Sequence, residues 1–201
     1  MIINVSQSER AKRLLKAAEV LFLKNGYTAT SLQMLIDQAG GSRRTIYSEF
    51  ENKEGLFKAV LRQKAREVIL TLSDVSDVDQ PRASLIKVCH LFLTKLLEPD
   101  MVTFFKLLIN TIQDIPDIGD MLYQHALVDG PEGLVNYLLQ LNDIGTIKII
   151  NPQHASQLLL GMVKGHLHTH ALLDSSYRPS EQQISMQVEE AVDIFLNGVL
   201  T

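Results

Sequence analysis

AGGSRRTIYSEFENKEGLF, residues 39–57, carries a glycine pair, two adjacent arginines, and a Tyr and a Phe three residues apart. Gly40 and Gly41 stop whatever helix precedes them, because glycine loses the most backbone freedom in a helix interior. Ser42 is a good N-cap for a new helix. Ile46 and Phe50 are four residues apart and so share one face, the inward one. Arg43, Arg44 and Thr45 then point outward at the start of that helix, with Tyr47 and Ser48 beside them. Asn52 caps the next helix, and Leu56, Phe57, Val60 and Leu61 give it a buried face.

The same periodicity runs outward in both directions. Upstream, Leu14, Ala18, Leu21 and Phe22 line one face of a first helix that Gly26 can end in a left-handed conformation. Thr30 starts a second helix, with Gln33 placed to complete a capping box. Leu32, Leu35, Ile36 and Ala39 form its apolar stripe. Downstream, the fourth helix runs to about residue 72, and the polar stretch SDVSDVDQPRAS, residues 73–84, is the boundary candidate. Further helices are predicted over 82–97, after Pro99-Asp100, over 117–142 with a break at Asp129-Gly130-Pro131, and from Asn151-Pro152 to about 173. Ser180 and Gln183 form a capping box for a last helix reaching about 197. The expected fold is all-α with about nine helices, divided into residues 1–66 and 67–201.

Charge divides along the same line. Residues 1–66 carry 12 Lys and Arg against 6 Asp and Glu, whereas residues 67–201 carry 7 against 17. A basic module attached to an acidic body fits a polyanion-binding end and a body with another task. The polar, then basic N-terminus has no signal-like apolar segment, and no apolar run approaches membrane-spanning length. A lone cysteine, Cys89 in LIKVCHLFL, reads as a core residue in a cytoplasmic protein.

Two short helices joined by a tight glycine turn and braced by longer ones make a helix-turn-helix unit. Its second helix can enter a DNA major groove, where arginine can meet guanine and a threonine methyl can meet thymine. Thr30 and Lys53, at the starts of the flanking helices, lie where free amides and the helix dipole favour phosphate.

At these residues the chain resembles the TetR family of bacterial transcriptional regulators. The resemblance covers residues 10–61. Its features, in order, are Phe22 with KNGY (24–27), Thr30-Ser31, the Ala39-Gly40 turn, Ser42 through Tyr47, then Phe50, Asn52-Lys53-Glu54 and Leu56-Phe57. It implies an all-α homodimer that binds a palindromic double-stranded DNA operator, usually as a repressor, and lets go when a small-molecule effector enters the C-terminal part. It also implies that Arg43, Arg44 and Thr45 face bases. Tyr47, Lys53, Thr30 and Ser31, joined by Gln33, would hold the phosphate backbone. Gly41 and Ile36 depart from the family's usual valine and alanine, which bears on the angle of the recognition helix.

The resemblance further implies dimerisation through the last two helices. Leu158, Gly161, Gly165, His168 and Leu172 make a stripe on the first of these, and Ile184, Val188, Ala191 and Phe195 lie on the apolar face of the second. Phe92, Met101, Phe104, Phe105, Met121, His125, Met162 and His166 have the adaptable apolar chemistry of an effector pocket. No cofactor, catalytic residue or metal site is expected. His166 and His170 are an i, i+4 pair of the kind that binds zinc, but the Glu that accompanies such a pair in metalloproteases is absent. Metal sensing, transcriptional activation and a helical metal-dependent enzyme are the alternatives.

Overall fold

The computed structural model describes residues 8–40, 42–128 and 130–200, so Gly41 and Asp129 lie outside the described residues. Among these, ten α-helices form and no extended strand does, one more helix than anticipated. The helices are α1 Glu9–Asn25, α2 Leu32–Ala39, α3 Arg43–Phe50, α4 Lys53–Thr71, α5 Pro81–Leu97, α6 Pro99–Thr111, α7 Asp117–Leu122, α8 Glu132–Asp143, α9 Pro152–Leu173 and α10 Glu181–Val199. A π-helical turn, Tyr123–Val128, continues α7.

Local chemistry accounts for most boundaries. Gly26 and Gly40 take positive φ, 81° and 71°, where each closes a helix with its backbone N–H on a carbonyl of the last turn. The Asn52 side chain accepts from Gly55 N, and Asn151 Oδ1 accepts from His154 N. Ser180 and Gln183 cap each other reciprocally. The second helix starts differently from expectation. Ser31, not Thr30, is its N-cap, accepting from Met34 N, while the Gln33 side chain reaches forward to Asp37.

Buried apolar side chains from Ala11 to Leu196 form one contiguous core. Phe22, Tyr27 and Phe57 meet ring to ring where α1 packs on α4. Cys89 is fully buried, and burial pushes its thiol up to about 12, so it stays an inert core group. The polar stretch after α4 is anchored to the body: Tyr137 Oη donates to the Asp77 carbonyl at 2.6 Å.

Charged side chains bind the N-terminal helices to the rest. Lys64 of α4 is 6% exposed and pairs with Glu19 of α1 and Glu67 of α4. Glu67 in turn meets Lys95 of α5 at 3.1 Å. Lys58 bridges Glu54 and, at 2.6 Å, Asp117 of α7. No helix among the described residues is long and apolar enough to cross a membrane.

Candidate nucleic-acid interface

The third helix is fixed from beneath and free above. Ile46 is fully buried and Phe50 nearly so, which holds the helix by one face against α1 and α4. Arg43, Arg44, Tyr47 and Ser48 are exposed and Thr45 is half-buried. Neither arginine is engaged in an ion pair among the described residues, so both guanidinium groups are available to an incoming acceptor. Tyr47 is 54% exposed, too open for a core residue. Ser42 occupies the N-cap position without a side-chain bond to the helix backbone, its hydroxyl lying 3.3 Å from Thr45 Oγ1. Its side chain thus leaves the first amides of α3 open to an anion.

The flanking residues behave less uniformly. Ser31 is exposed at the start of α2 and Gln33 is exposed in its first turn. Thr30 is fully buried, and its hydroxyl donates to the carbonyls of Gly26 at 2.7 Å and Leu21 at 3.2 Å. It therefore ties α1 to α2 and cannot reach a phosphate. Lys53 is half-buried at the start of α4; its ammonium lies 4.4 Å above the Tyr27 ring and donates to the Thr28 carbonyl. Burial lowers its pKa below the ordinary lysine range.

Positions assigned to the body need larger corrections. Ile184, Val188, Ala191 and Phe195 are buried inside their own chain, because that face of α10 packs on α5 and α9. They cannot form a surface between subunits. The exposed apolar side chains on this helix are Met186 and Ile194, at 53% and 64%. On α9, Leu158 and Gly161 are exposed and Leu172 is half-buried, whereas His168 is turned inward against Phe105. Gly165 interrupts α9 with φ 44° and ψ −145° and has Gln187 of α10 against it, so it is a kink and not a flat contact point.

Among the effector candidates, Phe92, Met101 and Phe104 are core residues, and Phe105, Met121 and Met162 are half-buried beside them. His125 and His166 are exposed. His170 stacks on Tyr177 with centroids 3.7 Å apart. Among the described residues, no three His, Cys, Asp or Glu side chains come together as a metal would require. An open cleft of about 370 Å³ lies instead between the start of α5 and the end of α10, lined by Pro81, Arg82, Asp193 and Leu196 among others. Two residues with no sequence signal join the α1–α2 connection to the α6–α7 connection: Thr28 Oγ1 donates to Asp114, near the Lys58–Asp117 pair.

Comparison with known proteins follows the same division. Residues 14–60 match the model of bacterial regulatory proteins of the tetR family, and residues 83–198 match the C-terminal domain of AefR-like transcriptional repressors. The HTH-type transcriptional repressor ComR of Escherichia coli is 53% identical over 47 residues, which are 23% of this chain and 22% of ComR. The HTH-type regulator YvkB of Bacillus subtilis, itself uncharacterised, is 25% identical across 94% of this chain and 96% of its own. A crystal structure of a TetR-family regulator from Mesorhizobium loti superposes with a TM-score of 0.84 at 21% identity, covering 97% of this chain and all of that one. With its N-terminal helix-turn-helix and its C-terminal body both matched, the chain belongs to the TetR family of transcriptional regulators.

Proposed function

We propose that the protein acts in the cytoplasm as a homodimeric repressor that holds a palindromic operator and is released by a small, largely apolar molecule. The observation that carries this reading is α3. Its inner face is fixed by Ile46 and Phe50, while Arg43 and Arg44 stand unpaired at its exposed N-terminal end. Arg43, Arg44 and Thr45 read base edges. Ser31, Gln33, Ser42, Tyr47, Ser48 and Lys53 hold the phosphates on either side. The second copy docks against the exposed Leu158 and Gly161 of α9 and the exposed Met186 and Ile194 of α10. Two recognition helices then meet successive major grooves about 34–36 Å apart. The repressor sign is supported by the AefR-like repressor match over the body and by ComR's name.

The test is selection of random duplex DNA by the purified full-length protein. An enriched palindrome with two half-sites one helical turn apart is expected. Enrichment of a single half-site would refute the dimer, and no enrichment at moderate salt would refute the operator-binding reading.

A further inference from the structure

On either side of the kink in α9, two nitrogen-bearing side chains have no hydrogen-bond partner among the described residues. His168 is only 9% exposed, yet its Nε2 has no hydrogen-bond partner. Its ring stands edge-on to Phe105 with centroids 5.1 Å apart, on the side of α9 that faces α6. One turn earlier, the half-buried Lys164 makes no hydrogen bond or ion pair with any described residue. The other buried or half-buried lysines of the described chain are all held. Lys58, Lys64 and Lys95 meet carboxylates, Lys106 donates to the Ser175 hydroxyl, and Lys53 lies over its tyrosine ring.

Between the two donors sits Gly165, whose non-helical backbone breaks the regular ladder. The acceptor at this kink is already satisfied, since the Met162 carbonyl accepts from Gln187 Nε2 at 2.8 Å. What remains is a lysine amine and an imidazole nitrogen, with the half-buried Phe105 ring edge-on to the imidazole. A buried polar atom without a partner is costly, and the unpaired lysine four residues before it adds a positive charge that one anionic group could meet.

We propose that Lys164 and His168, on either side of the Gly165 kink, form the polar end of a binding site for an organic carboxylate whose apolar body lies against Phe105. This rests on the regulator reading above and names the chemistry of its effector. Electrostatics agree with the geometry. Burial, reinforced by the nearby Lys164 charge, pushes His168 down to about 4, and burial lowers Lys164 as well. A bound carboxylate supplies the counter-charge that Lys164 lacks and an acceptor for the Nε2–H tautomer of the neutral His168 ring.

The site is tested on the full-length protein, labelled with nitrogen-15 at histidine, by nuclear magnetic resonance titration with benzoate, 1-naphthoate and decanoate. The matching neutral amides serve as controls. At least one carboxylate should move the His168 ring nitrogen signals saturably while its amide does not. Lys164→Met and His168→Gln should each weaken that binding tenfold or more, whereas Lys148→Met, on the exposed loop before α9, should leave it unchanged. Equal binding of acid and amide, unchanged affinity in both variants, or no shift with any of the three acids overturns the proposal. So does a His168 signal that changes only on dilution to monomer, which would assign its acceptor to a second copy of the chain. Operator binding is measured on the same samples. Retained operator binding without carboxylate binding sinks the site alone, and carboxylate binding without operator binding sinks the regulator reading alone.

Discussion

Replacing Gly165 with alanine should destabilise the protein by about 2 kcal/mol, although the same change in an ordinary helix would stabilise it. A side chain at φ 44° and ψ −145° carries left-handed strain of about 1–2 kcal/mol. The new Cβ would also stand 2.6 Å from Gln187 Nε2 and 2.9 Å from its Cδ. The glutamine side chain can swing away, but doing so gives up its bond to the Met162 carbonyl, about 1 kcal/mol. Stiffening of the unfolded chain offsets about 0.4–1 kcal/mol of this. In a chain of this length the net loss lowers Tm by about 4–8 °C. Urea and thermal unfolding at one fixed protein concentration measure it, since the stability of the proposed dimer would depend on concentration. Gln187→Ala alone should cost about 1 kcal/mol, and the double variant should be no worse than Gly165→Ala, because that change has already displaced the glutamine. An unchanged or raised Tm for Gly165→Ala would mean that α9 is continuous in solution, and the reasoning about the kink would fall with it.

Arg44→Ala should lower operator affinity by about 1–3 kcal/mol and relax base preference in the DNA selection, with dimerisation unchanged in sedimentation. Lys53→Ala should weaken binding to all sequences and reduce the salt slope by about one unit; a wild-type slope removes it from the phosphate contacts. Thr30→Val should cost about 1–2 kcal/mol of stability by leaving carbonyls unpaired, yet keep the wild-type salt slope, since its hydroxyl points inward. For His168, the unfolded chain takes up a proton below about 6.5 while the folded chain holds off until about 4. Stability is therefore fully present above about pH 6.5 and falls as the pH drops toward 4, by on the order of 2–3 kcal/mol. His168→Gln should flatten the urea-midpoint profile in that window, and an unaltered profile would count against the burial effect.

Elements governed by near neighbours in the chain are legible in the amino-acid sequence. The Ser180–Gln183 box, the Asn52 and Asn151 caps and the Gly26 and Gly40 stops all act within a few residues, so their positions follow from side-chain type. Thr30 and Ser31 mark where this fails: adjacent hydroxyls can both cap, and only the packing of α1 on α2 decides that one is buried. The stripe of Ile184, Val188, Ala191 and Phe195 establishes that α10 has a buried face. A stripe cannot say whether its own chain or a second copy covers that face, and here α5 and α9 cover it. Gly161 and Gly165 are alike in sequence, yet one is regular helix and the other a break with Gln187 of another helix against it. In α3 the buried pair is Ile46 and Phe50, as their spacing predicts, because two large apolar groups leave a short helix only one way to lie.

The chain of charges through Lys64 has a mechanical consequence. Glu19, Lys64, Glu67 and Lys95 link α1, α4 and α5 in one unbroken series, and Lys58 with Asp117 clasps the front of α4 to α7. A tilt of the fourth helix carries α1 with it through Lys64 and pulls on the Lys95 and Asp117 links that hold α4 to α5 and α7. The 19 residues of α4 make a rod about 28 Å long. A tilt of about 5° at the body end would swing the far end by about 2.5 Å over that length. In the proposed symmetric pair the displacements would add, so a small wedge at the body end would throw two reading heads out of gauge with a groove that does not stretch.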